Sequence, residues 1–327
     1  MEEIGGYFEL ELPRMKEKFL HHECLALNSA RNSLALVLSS NKNKIKKILI
    51  PDYTCPVVIE EVVKSGILYD FYKIGKNLEI DDSLKLEQGE WLIVNNFFGI
   101  KDHYISEITS TFPERVIVDD AQAWYAPNFD SAISIYSPRK FFGVPDGGFI
   151  CGNINFDVQN LPEGEASDLS RHLLMRIDKS ASEGYRVFRE SSEKLGKEPI
   201  RKLSKLSRRI LESIDMKEVK DIRKVNYIQL DQELYPYNQL KLPSRESFEC
   251  PMVYPLFMPK GKQLKEYLIA NKVYVASYWP GIEKWCKKGS MASEFSDNLV
   301  ALPIDQRYGK GEMMKIINVV TEFLNGK

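Results

Sequence analysis

The chain has 327 residues and almost balanced charge, with 45 Lys and Arg against 46 Asp and Glu and a formal net charge of −1. This length allows one large and one small domain, since single cores stop growing near about 250–300 residues. The balance does not favour nucleic acid or an anionic membrane as a partner, and no apolar run approaches the roughly 20 residues of a membrane helix. The five cysteines and four histidines are scattered without metal-binding spacing. The sequence therefore predicts no metal site and a reducing, cytoplasmic location.

Short apolar runs alternate with helix-like stretches through the first half of the chain. The predicted strands are Ile48–Ile50, Trp91–Val94, Val116–Val118, Ala132–Ile135 and Phe149–Cys151. Helices are predicted over Val57–Lys64 and Tyr104–Thr111. Such alternation implies crossover connections and a mainly parallel sheet. Ligands of such sheets lie outside the carboxyl ends of the strands.

The second half changes character at residues 186–224, where apolar residues recur at helical spacing among many Lys and Arg. A basic helix of this kind is compatible with nucleic-acid binding, but interleaved acids such as Glu212 favour a solvated helix that links two domains. Beyond it, strands are predicted at 252–254 and 273–275 and helices at 263–270 and 312–324. We predict an α/β protein with a large domain over residues 1–224, including the linking helices, and a small carboxyl-terminal α/β domain over 225–327.

Polar side chains stand directly after two neighbouring predicted strands. Asp119 and Gln122 follow the strand at 116–118. Lys140 follows the strand at 132–135 and precedes a turn at Gly147-Gly148. A pyridoxal phosphate (PLP) enzyme needs an acid that keeps the pyridine nitrogen protonated and a lysine that binds the cofactor covalently. The pattern indicates PLP as cofactor and Lys140 as the catalytic residue.

Each of these residues has an ordinary structural explanation as well. A lysine before a glycine turn is compatible with a plain hairpin, and an aspartate at a strand end often caps a turn. Asp120 competes with Asp119, but successive strand residues face opposite sides of a sheet, so only one of them can face the cofactor.

The chain resembles the DegT/DnrJ/EryC1/StrS family of fold-type-I PLP enzymes, most of which are nucleotide-sugar aminotransferases. Asp119-Asp120-Ala121-Gln122 matches the family's Asp-x-x-Gln/His motif. The segment from Ser134 to Gly148 is similar to its serine, aromatic, lysine and Gly-Gly segment. Asn28–Leu34 is similar to its phosphate loop, and Leu299–Val320 to its last strand and helix. The resemblance implies the fold-type-I architecture.

The resemblance also implies roles for individual residues. Lys140 would carry the cofactor and move the proton, Asp119 would meet the ring nitrogen, and Gln122 would contact the ring hydroxyl. The remaining candidates for cofactor contacts are Ala30, Arg31 and Asn32 in the loop that enters a helix, Ser134 or Ser137, and Cys55, where relatives have a stacking aromatic. Phe98, Tyr278 and Trp279 are candidates for the substrate side. Ala30 replaces a family glycine, and Arg31 is expected to compensate with a charged phosphate contact.

The expected function is transfer of an amino group to the keto sugar of a nucleotide-sugar. The resemblance implies that glutamate donates this amino group. The family also implies a homodimer. Three alternatives stay open: sugar dehydration, against which Lys140 argues because dehydrating relatives carry histidine there; a PLP enzyme with a non-sugar substrate; and a non-catalytic relative that binds a sugar or a partner, which Ala30 and Cys55 keep in view.

Overall fold

The computed structural model describes residues 6–81, 83–152 and 160–326. The strands are β1 (Leu25–Leu27), β2 (Lys47–Pro51), β3 (Leu68–Tyr72), β4 (Glu90–Asn95), β5 (Val116–Asp120), β6 (Ile133–Tyr136), β7 (Gly148–Cys151), β8 (Val253–Phe257) and β9 (Leu299–Pro303). The α-helices are α1 (Ala30–Asn41), α2 (Pro56–Ser65), α3 (Asp102–Thr111), α4 (Arg171–Asp178), α5 (Ala181–Lys197), α6 (Lys205–Leu211), α7 (Met216–Leu234), α8 (Gly261–Ala270), α9 (Met291–Asn298) and α10 (Lys310–Leu324).

Seven strands form one mainly parallel sheet in the order β1-β7-β6-β5-β4-β2-β3. The five strands from β6 to β3 run parallel, whereas β7 is antiparallel to β6 and to β1. All five strands predicted in the first half are present. The two strands that sequence patterns did not reveal are the edges: β1 has three residues, and β3 is mostly exposed. Edge strands lack the continuous apolar run of a strand buried on both faces.

Alternate residues of the central strands enter two different cores. Ile93, Ile117 and Ile135 pack on one face with apolar residues of α1 and α2. Val94, Val118 and Tyr136 pack on the other face, in the larger core that continues into the second half of the chain. This period of two decides which polar residue at each strand end faces which layer.

The second half is more broken than its sequence suggested. The basic stretch comprises the end of α5, all of α6 and the start of α7. The predicted domain boundary between 224 and 225 falls inside α7. The pair β8–β9 forms a small antiparallel sheet, and α10 ends the described chain much as predicted.

The strand predicted at 273–275 is wrong. Only an isolated bridge, between Ala276 and Ala301, forms beside this segment. Lys272 has a left-handed backbone (φ 63°) immediately before it, and Tyr274 is exposed. A left-handed residue interrupts the extended backbone that strand pairing requires. The three apolar residues that follow it therefore do not form a third strand of the small sheet.

Two of the five cysteines are bonded to each other. Cys24 and Cys151 form a disulfide across 127 positions of sequence, at the point where β1 pairs with β7. Within the described residues, none of the helices combines the length and apolar character needed to cross a bilayer.

Candidate active site

A cavity of about 290 Å³ opens at the carboxyl ends of β4, β5 and β6. Its lining includes Ile93 and Asn95 from β4, Ile117 and Asp119 from β5, Ile135 from β6, the start of α1, and Ser192, Leu195 and Gly196 from α5. The position agrees with the rule that parallel sheets bind ligands beyond their carboxyl ends.

Lys140 lines this cavity from a short helical turn, Pro138–Lys140, that follows β6. The chain just beyond it is held firmly, since the carbonyl of Phe141 accepts hydrogen bonds from Arg223 Nη2 (3.2 Å) and Gln306 Nε2 (2.8 Å). The Asp146 carboxylate accepts bonds from the N–H (3.1 Å) and hydroxyl (2.6 Å) of Ser204. The lysine side chain is exposed, so a fixed backbone presents an accessible amine to the cavity.

The glycine turn after Lys140 brings two segments of backbone together. The Gly147 N–H donates to the carbonyl of Asn28 at 2.8 Å, and its φ of 136° suits glycine. A Cβ at Gly148 would lie 2.2 Å from the carbonyl carbon of Ser29 and 2.3 Å from the nitrogen of Ala30. The lysine loop and the start of α1 therefore form one rigid unit.

Asp119 and Asp120 face opposite sides of the sheet, as their alternation requires. Asp119 lines the cavity, and its Oδ1 accepts the N–H of Ala121 at 3.0 Å. Burial raises the pKa of Asp119, while that hydrogen bond and the Lys140 charge lower it. Asp120 is fully buried on the other face, where it accepts from the Asn96 amide at 3.0 Å, and burial raises its pKa well above the usual range.

Gln122 lines the cavity, and only one of the two polar atoms of its amide is already hydrogen-bonded. Its Oε1 accepts the backbone N–H of Phe98 at 2.9 Å, which fixes the orientation of the amide because only the oxygen can accept. Its Nε2 is buried and has no hydrogen-bond partner among the described residues. A buried donor without a partner indicates that a ligand atom completes it.

The amino terminus of α1 borders the same cavity at Ser29, Ala30 and Arg31. The Ser29 hydroxyl caps the helix by accepting the N–H of Asn32 at 3.1 Å. Asn32 itself does not line the cavity. Its amide donates to Asn28 (2.8 Å) and to the carbonyls of Glu198 (3.2 Å) and Pro199 (3.0 Å), so it ties α1 to the chain after α5.

Two arginines line the cavity, and only one of them is paired with carboxylates. Arg31 Nη1 bonds both Glu60 (2.7 Å) and Glu61 (3.0 Å). Arg139 Nη2 donates to the Ser192 hydroxyl at 3.2 Å, and no described carboxylate lies within ion-pair distance of it. Burial lowers the pKa of Arg139, opposed by the charge of Asp146. The sequence did not single out Arg139, because its place in the cavity depends on the turn that follows β6.

The other candidates for cofactor contacts divide into those that line the cavity and one that does not. Ser137 and Cys55 line the cavity. Ser134 does not; it is buried on the Asp120 side of β6. Burial raises the pKa of the Cys55 thiol, although the Lys140 charge lowers it.

The aromatic candidates form one cluster at the border with the small sheet. Trp279 lines the cavity, and Lys140 Nζ lies 5.2 Å from the centroid of the Tyr278 ring. The Tyr53 hydroxyl donates to the Tyr278 carbonyl at 2.5 Å. Phe98 is fully buried behind Tyr278, with ring centroids 5.7 Å apart, and is not part of the cavity lining.

Several solved aminotransferase structures are similar to this chain. A DegT/DnrJ/EryC1/StrS aminotransferase from Brucella abortus has 14% identity over 91% of this chain and 85% of its own, with a TM-score of 0.60. The sugar aminotransferase CalS13 from Micromonospora echinospora has 16% identity, coverage of 91% and 86%, and a TM-score of 0.62. Spr1654 from Streptococcus pneumoniae, in its PLP-form, has 14% identity, coverage of 91% and 87%, and a TM-score of 0.65.

The chain has the fold of these aminotransferases. Their similarity extends over both the large sheet and the second half of the chain, which confirms the predicted α/β architecture. No protein family matches the sequence in a family scan, and no curated protein matches it in a sequence search.

Proposed function

We propose that the protein is a PLP-dependent aminotransferase that acts on a keto sugar. The observation that carries the proposal is the meeting of Lys140, Asp119 and the start of α1 around one cavity at the carboxyl end of the sheet. These three features come from separate segments, and each supplies one thing that PLP requires: an amine, an acid for the ring nitrogen, and a helix amino terminus for the phosphate.

The side chains in the cavity fit this cofactor. When bound, PLP withdraws electrons from the substrate carbon that loses its proton. The Asp119 carboxylate would hold the proton on the ring nitrogen, since an opposite charge at hydrogen-bond distance favours the charged form. The unpartnered Gln122 Nε2 would donate to an acceptor oxygen on the ring. The Lys140 amine would take the proton from the α-carbon of the amino donor as a general base and would then give it to the cofactor as a general acid.

The phosphate would be held by the amino terminus of α1 together with Arg139. Burying a guanidinium without a carboxylate partner is unfavourable, so the enclosed position of Arg139 favours an anionic ligand. Arg31 is less suited to this role than its sequence position suggested, because Glu60 and Glu61 already compensate its charge.

The substrate side follows from the aromatic residues and the surface. Trp279 offers a stacking face to a sugar ring at the cavity wall. A nucleotide-sugar acceptor, a glutamate donor and a cytoplasmic setting belong to the same proposal.

A homodimer is supported by the apolar side chains that α4 and α5 expose, among them Leu174 (52%), Ile177 (82%) and Tyr185 (59%).

The test is reduction of the PLP-loaded protein with borohydride followed by peptide mapping. The covalent adduct is expected on Lys140 and should be absent in Lys140→Arg, which keeps the charge. Lys101→Arg is the matched control: Lys101 is buried and bonded to Glu79 at 2.5 Å, so this variant should still give the adduct. An adduct on another lysine would overturn the assignment.

A second measurement separates catalysis from binding alone. Adding glutamate to the loaded protein should change the cofactor absorbance, and a nucleotide-linked keto sugar should restore it. A spectrum that no amino acid changes would identify a non-catalytic relative instead. Restoration by a non-sugar keto compound other than 2-oxoglutarate, the keto acid formed from glutamate, and not by the keto sugar would favour the non-sugar alternative.

A further inference from the structure

A second cluster of reactive side chains lies away from the cavity, where β1 pairs with β7. Cys24 directly precedes β1 and Cys151 ends β7, and the antiparallel register pairs Leu25 with Ile150. The two cysteines are thus neighbours across the strands, with Cα atoms 5.0 Å apart. Because the pairing of two strands sets their positions, they stay close whether or not they are bonded.

His21 completes this cluster through a tight turn. The N–H of Cys24 bonds the carbonyl of His21 at 2.9 Å, which folds the imidazole back over the cysteines. His21 Nδ1 lies 3.7 Å from the sulfur of Cys151. The ligand atoms of His21, Cys24 and Cys151 all lie within 4.8 Å of one another.

The imidazole is held in the orientation that a metal ligand needs. Its Nε2 is 2.7 Å from the carbonyl of Trp124, so Nε2 carries the hydrogen and Nδ1 has the free lone pair. The ring also stacks on Tyr136, with centroids 3.8 Å apart and an interplanar angle of 21°. A backbone carbonyl bonded to the far nitrogen is the usual outer-sphere support of a metal-bound histidine.

We propose that His21, Cys24 and Cys151 form a metal site, selective for an ion such as Zn²⁺ that prefers thiolate and imidazole, and that the disulfide closes it. In a tetrahedral zinc site, sulfur and nitrogen ligands lie roughly 3.6 Å apart and two sulfurs roughly 3.8 Å apart. The first distance nearly matches the 3.7 Å between His21 Nδ1 and Cys151 Sγ. The second requires the sulfurs to separate, which happens only when the bond between them is broken.

The chemistry balances with an ordinary reductant. A phosphine reduces the disulfide with two electrons and two protons, giving two thiols and a phosphine oxide whose oxygen comes from water. Metal binding then releases both thiol protons, because thiolates are the ligands. Three protein ligands leave the fourth position to water, which reaches the half-buried His21 and Cys24.

The experiment is titration of the full chain with Co²⁺, a coloured substitute for Zn²⁺. After phosphine reduction and anaerobic removal of the phosphine, one equivalent should bind and give a thiolate-to-cobalt charge-transfer band. Zn²⁺ should displace it. The oxidised chain should give no band. Because it has the same sequence and fold, this arm stays informative even if a substituted variant fails to fold.

Variants assign the ligands. Cys24→Ser and Cys151→Ser should lose the band, and His21→Ala should weaken binding by more than about tenfold. Cys286→Ser is the matched control, because Cys286 is also half-buried but donates to the carbonyl of Asp52 at 3.2 Å. A reduced chain without the band would overturn the proposal, as would a band that persists in Cys151→Ser or unchanged affinity in His21→Ala.

Discussion

Replacing Arg139 with alanine should weaken PLP binding much more than the same change at Arg31. Both arginines line the cavity, but only Arg31 is paired with carboxylates. Arg139 has the hydroxyl of Ser192 as its hydrogen-bond partner. Its charge therefore remains available to an anionic ligand.

The magnitudes follow from these contacts. A hydrogen bond to a charged group contributes about 1.5–3 kcal/mol, so Arg139→Ala should reduce PLP affinity about 10- to 150-fold. Arg31→Ala should cost less than about 1 kcal/mol, roughly fivefold, because two carboxylates already neutralise its charge. Arg139→Lys should fall between wild type and Arg139→Ala, since it keeps the charge but loses the planar fork.

The assay is titration of the apo-protein with PLP and, in parallel, with pyridoxal, which lacks the phosphate. If Arg139 holds the phosphate, Arg139→Ala should lose affinity for PLP and keep its affinity for pyridoxal. Thermal unfolding of each apo-variant serves as the folding control. An unchanged preference for PLP over pyridoxal in Arg139→Ala would refute the reasoning. A raised KM for the amino donor in the same variant would reassign Arg139 to the carboxylate of that donor.

Two further predictions use matched pairs of variants. Asp119→Asn should lower PLP affinity about 10- to 150-fold and reduce turnover. Asp120→Asn should have little effect on affinity or turnover, because asparagine still accepts the hydrogen bond from Asn96. Equal losses of PLP affinity in the two variants would show that the strand faces were misassigned. Gly148→Ala should destabilise the apo-protein by about 1–3 kcal/mol, since its Cβ would meet backbone atoms at 2.2 and 2.3 Å, whereas Gly143→Ala meets only a leucine methyl at 3.8 Å. Denaturant midpoints compare the two glycines, and similar shifts would mean that the close approach at Gly148 relaxes without cost.

The sequence by itself determined the features that depend on local period and order. Apolar runs of three or four residues defined the central strands, because strands buried on both faces are continuously apolar. Alternation along β5 allowed only one of Asp119 and Asp120 to face the ligand side, and the resemblance to the Asp-x-x-Gln motif selected Asp119. Lys140 was a candidate for the catalytic lysine because it stands between a strand and a glycine pair. None of these inferences required knowledge of what packs against the residue.

Only the tertiary structure decided which side chains are available to a ligand. Arg31 and Asn32 stand where a phosphate loop is expected, but carboxylates from α2 and carbonyls after α5 occupy them. Arg139 became a candidate because the turn after β6 directs it into the cavity. Cys24 and Cys151 meet across 127 positions of sequence because β1 pairs with β7. Such contacts depend on which distant segments the fold brings together, and the local sequence pattern does not show which segments those are.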